Sequence, residues 1–257
     1  MLNPVAFLCS MLLGAAPPPQ SNAPAAALPA PSLEQIAENV WVHKSYRIIK
    51  PWGPILSQGM IVKTETGVFL IDTAWDDADT EDLLAMIAEE IGETPTAAVV
   101  THAHDDKMGG VKALKKAGVE TYALAASNED APGRGLEPAE HSLSLLASQT
   151  ATPFPGAPGL SVLYPGPGHT RDNIVVYYEP AKVLFGGCLI RPGRSRNLGN
   201  TADGSVPGWA ASVRNVAAAF PETAIVIPSH GPKGERALLE HTIALAEGAD
   251  ARNAGRD

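Results

Sequence analysis

The chain is predicted to fold as an α/β protein of the α+β kind, an αββα sandwich in which two packed sheets carry helices on their outer faces. Two observations lead there. Runs rich in Val, Ile, Phe and Tyr come first and a helix-periodic segment follows, and the same order then returns in the second half. With 257 residues, 45% of them apolar, the chain is long enough to bury a sizeable core.

Residues 1–33 carry no charged side chain, Glu34 being the first. The apolar stretch 5–16 is too short to span a bilayer and is followed by Pro17-Pro18-Pro19 and a small-residue tract over 23–30. Residues 1–30 therefore read as an export signal with a Pro/Ala-rich linker, and 31–257 as the folded domain. This predicts a periplasmic protein without a stable membrane anchor. Cys9 is expected to leave with the signal, so that Cys188 is the mature chain's one thiol. In an oxidising compartment it has no internal disulfide partner, and a bound zinc would protect it.

Strands are predicted over 40–49, 58–64 and 68–73, with Glu65-Thr66-Gly67 as the hairpin turn between the last two. The intervening segment 50–57 is apolar where a short exposed turn should be polar. Its Trp52, Ile55 and Leu56, flanked by Gly and Pro, suit a mobile flap that closes over the apolar face of a substrate. Over 80–91 the period switches: Leu83, Leu84, Ile87 and Ile91 share one helical face, and Asp79 or Thr80 is available as a cap. The next strand holds Ala97-Ala98-Val99-Val100 and ends at His102, after which a helix over 110–116 turns Val111 and Leu114 inward. The segment 127–159 is polar and poorly patterned. Strands return at 160–164, 173–178 and 182–185, then a helix at 209–220, a strand at 224–227 and a closing helix at 235–246. No residue-level repeat is visible, so the duplication is one of architecture.

Metal-competent side chains stand where apolar runs stop. His102-Ala103-His104-Asp105-Asp106 ends one strand, and His169 follows Pro165-Gly166-Pro167-Gly168. Cys188 follows Val183-Leu184-Phe185-Gly186-Gly187, and His230 follows Ile225-Val226-Ile227-Pro228-Ser229. If these strand ends meet at one rim, six ligands gather there: His102, His104, Asp106, His169, Cys188 and His230. Imidazole, carboxylate and thiolate suit zinc, and a catalytic zinc with an open position needs three protein ligands. Six therefore make two sites, one of three imidazoles and one of Asp, thiolate and imidazole, with the metals roughly 3.5 to 4 Å apart. His43, His141 and His241 do not follow this pattern and are not expected to bind metal. A net charge of -9, with no Lys/Arg cluster beyond Arg191, Arg194 and Arg196, argues against a nucleic-acid partner.

The runs THAHDDKMGGV (101–111), YPGPGHT (164–170), FGGCLIR (185–191), PSHG (228–231) and LIDTAW (70–75) resemble the class B metallo-β-lactamases, most of all their first subclass. The resemblance covers about residues 36–248. Lys107 stands where the glyoxalase-type thioesterases, lactonases and third lactamase subclass usually have the last His of His-x-His-x-Asp-His, and Cys188 where many of those hydrolases have a bridging Asp. The resemblance implies the metallo-β-lactamase fold, two Zn2+ per monomer, and hydrolysis of the β-lactam amide by a zinc-bound hydroxide. Its substrates would be penicillins, cephalosporins and carbapenems, and its consequence antibiotic resistance. Asp106 is implied to orient the nucleophile, and Asn200, twelve residues after Cys188, to donate to the oxyanion. Arg191 occupies a place where the family usually has Lys; its fork can take the substrate carboxylate bidentately. Trp52 and Ile55 are implied to touch substrate, with Trp75 on the opposite wall, and Asp72 and Lys107 to steady the ligands. The protein is expected to be a monomer. The alternative is another metallohydrolase of this fold, cleaving a thioester or lactone.

Overall fold

The computed structural model describes residues 28–254. The first sheet holds seven strands in unbroken chain order: β1 (Ser32–Ala37), β2 (Val40–Ile49), β3 (Gly53–Thr64), β4 (Gly67–Ile71), β5 (Pro95–Val100), β6 (Glu120–Leu124) and β7 (His141–Leu143). The first four form an antiparallel meander and the rest add in parallel. Parallel neighbours need crossovers. α1 (Asp77–Ile91) makes the first, and the short α2 (Asp105–Met108) with α3 (Val111–Lys116) makes the second. α4 (Ala125–Asp130) and a 3-10 turn (Pro132–Arg134) precede β7.

The second sheet has the order β12-β11-β10-β9-β8, from β8 (Thr152–Pro153), β9 (Leu160–Leu163), β10 (Val175–Tyr178), β11 (Val183–Gly187) and β12 (Ile225–Pro228). Its one parallel pair, β11 with β12, is bridged by α5 (Val206–Ala219), and α6 (Ala237–Ala254) closes the chain.

Covered on both faces, the central strands send alternate side chains into different layers. Met60, Val62, Phe69 and Ile71 meet Val162, Val176, Phe185 and Ile227 between the sheets. Their neighbours Ile61, Val68 and Leu70 pack outward on Leu83, Leu84 and Ile87 of α1. Val175, Tyr177, Leu184 and Val226 pack outward on Trp209, Val213 and Val216 of α5 and Leu239 of α6. This is the αββα sandwich expected from the two strand-then-helix halves.

Boundaries moved where a side chain, not a pattern, sets them. α1 starts at Asp77 because the Asp76 carboxylate accepts from the Asp79 N–H, so neither Asp79 nor Thr80 is the cap. Residues 53–57 are strand rather than loop: β2 and β3 stay paired out to Ile49 opposite Gly53, which leaves Lys50, Pro51 and Trp52 as the tip of a long ribbon. Segment 127–159 contains elements too short to show a period, and β6 had no pattern of its own. The expected signal, and the linker up to residue 27, lie outside the described residues. No helix among the described residues is long and apolar enough to cross a membrane.

His43 of β2 is buried, with Nε2 3.1 Å from the Asp72 carbonyl oxygen. It fits because Gly59 lies opposite, where a Cβ would stand 2.0 Å from that nitrogen. Burial, aided by the charge of Lys107, lowers its pKa to about 4. Below pH ~6.5 the unfolded chain takes up a proton that the folded one refuses until about 4. Stability present above that range is therefore lost as pH falls through it, by on the order of 3 kcal/mol. His43→Gln will flatten this part of the stability curve in urea titrations of metal-free protein between pH 7 and 4. An unaltered slope would remove His43 from the account.

Candidate metal centre

Parallel strands end on the same side, and here the C-terminal ends of β4, β5, β11 and β12 open onto one rim. His102, His104 and Asp106 follow β5, Cys188 follows β11, His230 follows β12, and His169 sits in the β9–β10 loop. The six side chains sort into two groups, His102, His104 and His169 in one, and Asp106, Cys188 and His230 in the other. Within each, the ligand atoms lie within 4.8 Å of one another. The sequence left open which imidazole joins the thiolate; the structure puts His230 there. Each triad draws on both sheets.

The donor chemistry fits a metal. His104 Nδ1 stands 3.1 Å from His102 Nε2 and 3.2 Å from His169 Nε2. Three imidazoles converging in this way bring ring nitrogens to one point, an arrangement that a bound cation stabilises. For His104 and His230 the opposite nitrogen is held by an oxygen, as in metal-binding histidines, while Nδ1 of His169 is buried without a hydrogen-bond partner. His104 Nε2 lies 3.0 Å from Asp203 Oδ2, and His230 Nδ1 donates to the Leu56 carbonyl at 2.7 Å. That leaves His230 Nε2 facing Cys188 Sγ at 3.2 Å and Asp106 Oδ2 at 3.6 Å. Burial, then neighbouring His104 and His169, lowers the pKa of His102 well below normal. Burial also lowers His230, against the pull of Asp106. Both shifts favour the neutral, ligating form.

The sequence profile of the Metallo-beta-lactamase superfamily matches residues 52–230. The chain belongs to that superfamily. It is 37% identical over 214 residues to the metallo-beta-lactamase type 2 of Bacillus cereus, covering 83% of this chain and 82% of that protein. To the type 2 enzyme of Pseudomonas aeruginosa it is 33% identical over 238 residues, covering 93% and 89%. Among solved structures, FIM-1 from Pseudomonas aeruginosa in its mono-zinc form aligns with TM-score 0.81 and 45% identity, over 86% of this chain and 97% of that one. The metallo-β-lactamase of Hirschia baltica aligns with TM-score 0.80 and 40% identity, over 84% and 97%.

Beneath the metallo-β-lactamase ligands lies a dry ionic cluster. The Lys107 side chain is 0% exposed. Its Nζ donates to Ser57 Oγ at 2.7 Å and to the Gln58 carbonyl at 3.0 Å, and stands 3.1 Å from Asp106 Oδ2 and 3.7 Å from Asp72 Oδ2. Burial opposes ionisation of Asp106, but Lys107 and then His230 hold its carboxyl well below the usual range. Burial likewise works against the Lys107 ammonium, and Asp106 and Asp72 more than offset it. Asp72 is pushed up to about 7 by burial, against Lys107 and the Thr101 donors. Its backbone is left-handed, φ 64°, and its carboxylate accepts from the Thr101 N–H at 2.6 Å and hydroxyl at 3.0 Å. Asp172 accepts from the Ala103 N–H at 2.9 Å, so two carboxylates fix the turn that presents His102 and His104.

The residues expected on the substrate side are less uniform. Trp52 is 69% exposed at the ribbon tip and Ile55 is half-buried, one residue from the Leu56 carbonyl that orients His230. Trp75 is only 6% exposed and packs under the Arg47 guanidinium, 5.5 Å from its ring centre, so it presents little surface to a ligand. Arg191 is half-buried, its Nε has no hydrogen-bond partner, and its guanidinium lies against Gly199, where a Cβ would stand 3.0 Å from it. Asn200 is exposed and its Oδ1 accepts from the Ala202 N–H at 3.1 Å. Sequence reasoning missed Ser57, Asp172, Asp203 and Arg134, none of which stands in a pattern that marks it out.

Proposed function

We propose that this protein is a zinc-dependent β-lactamase of the first subclass, holding two Zn2+ and hydrolysing penicillins, cephalosporins and carbapenems, so that its host resists these drugs. The observation that carries this reading is the pair of adjacent triads, one purely imidazole and one with a thiolate. Zinc bound there supplies Lewis acidity and brings the pKa of water near 7. The chain's own residues supply the rest. Asp106, held ionised at neutral pH by Lys107 and then His230, orients the nucleophile and would also hold one of the metals. Arg191, with no side-chain hydrogen bond among the described residues, takes the substrate carboxylate in its fork. Asn200 directs its oxygen to Ala202, which leaves its amide N–H groups to donate to the developing oxyanion. Trp52 and Ile55 cover the apolar face of the drug.

Within the subclass, HAH-x-DKMGG, GPGHT, GGCLI and LIDTAW bring the wording nearest to the New Delhi metallo-β-lactamase. The protein works in the periplasm as a monomer, after loss of a signal within residues 1–30.

The test is turnover of nitrocefin and a carbapenem at defined zinc-to-protein ratios, with a thioester as comparison. Hydrolysis is expected to rise until two equivalents are bound, vanish on chelation and return with zinc. Cys188→Ser should weaken one equivalent by at least the 10- to 100-fold that loss of an outer partner costs. Faster thioester than β-lactam turnover, or hydrolysis that survives chelation, would overturn the proposal.

A further inference from the structure

The loop 197–204 touches three ligand-bearing segments at once. At one end Gly199 abuts the guanidinium of Arg191. At the other, the Ser205 N–H donates to the Gly168 carbonyl at 2.8 Å, beside His169. Between them Asp203 Oδ2 is shared by two partners, His104 Nε2 at 3.0 Å and Arg134 Nη1 at 3.1 Å. Asn197 and Asn200 direct their oxygens to the loop's own backbone. Among the described residues, Asp203 therefore makes the only side-chain hydrogen bonds that tie this loop to the rest of the protein.

Arg134 comes from a separate unit. It ends the 3-10 turn after α4, which is held by hydrogen bonds from the Arg134 N–H to the Ala131 carbonyl at 3.0 Å and from the Leu136 N–H to the same oxygen at 2.9 Å. The Asp203 side chain is 39% exposed. Without a second partner it is free to swing into water, and the imidazole of His104 then loses the acceptor that keeps its Nδ1 turned to the other two histidines.

We propose that Arg134 is a positioning residue for the three-histidine triad: by holding Asp203 against His104 it couples retention of metal there to the order of the loop that carries Asn200. The proposal rests on the metal reading above. Two measurements separate the two ideas. Hydrogen–deuterium exchange of metal-free protein reads the loop without any metal. Co2+ titration reads each triad by its own absorption, the thiolate charge-transfer band reporting Cys188 and the remaining visible bands the three histidines.

Arg134→Gln is expected to speed exchange over 197–204 several-fold and to weaken Co2+ at the three-histidine triad roughly tenfold, with the Cys188 band unmoved. Arg134→Lys, which keeps the charge, should recover most of both. The double variant with Asp203→Asn should be no weaker than Asp203→Asn alone. Wild-type-like exchange and affinity in Arg134→Gln, equal losses at both triads, or additive losses in the double variant would each overturn the clamp while leaving the metal reading intact. Wild-type protein that binds no Co2+ would bring down both.

Discussion

Lys107→Met will destabilise the metal-free protein by about 3–5 kcal/mol at pH 8, read from urea unfolding. The ammonium is completely buried and stands within 3.7 Å of two carboxylates, those of Asp106 and Asp72. Methionine fills much of the space but leaves the two carboxyls dry and facing one another, to stay ionised without a partner or to take up a proton, and breaking a buried ion pair by removing one partner is strongly destabilising. The loss will depend on pH in a stated direction. Asp72 already has its pKa raised to about 7, and removing the cation raises it further. A carboxyl that binds its proton more tightly when folded stabilises at low pH and ceases to do so as pH rises. The deficit of the variant will therefore be smaller at pH 5 than at pH 8. Lys107→Arg keeps the charge and should lose less. A methionine variant within ~1 kcal/mol of wild type at pH 8 would mean that the cluster is not held as described.

Asp106→Asn will cut kcat for β-lactam hydrolysis by roughly 10²-fold at saturating zinc, the order associated with misplacing a reacting group. Asparagine keeps the shape of the side chain and removes its charge. It gives up one anionic ligand of the thiolate triad and the ionised oxygen, 3.0 Å from Ser57 Oγ, that the buried cluster holds ready. Stability is expected to fall as well, because Lys107 then keeps only Asp72, 3.7 Å away, as a counter-ion. Urea unfolding of the same variant reads that loss apart from kcat. A loss below tenfold would remove Asp106 from the reacting centre.

Most of this architecture could be read from long runs. The central strands are apolar on both faces because both faces are covered, and α1 and α5 show a helical stripe because only one of theirs is. Length decides what fails. The elements between 125 and 153 span two to six residues each, too few for a period to appear. The apolar character of 50–57 was plain, but the strand that continues through 53–57 depends on pairing with β2. Trp75 read equally well as substrate wall or as packing, and its burial under Arg47 is a matter of three-dimensional neighbours.

At the centre, the ligands were visible by type, since few other roles place His, Asp and Cys immediately after apolar strand ends. Their division into an imidazole triad and a mixed one was legible too, but which histidine joins the thiolate was not, because it depends on which strand ends converge. Farther out, legibility drops with separation along the chain. Arg134 and Asp203 are 69 residues apart, and His104 and Asp203 are 99 apart. Ordinary surface-type residues joined over such distances leave no local trace.

Because His102, His104 and Asp106 belong to the seven-stranded half while His169, Cys188 and His230 belong to the other, an ion seated in either triad acts as a rivet through the molecule's central seam. Prising the halves apart then requires giving up the ion, and giving up the ion loosens the halves. Zinc supply is then expected to set resistance to proteolysis as well as turnover.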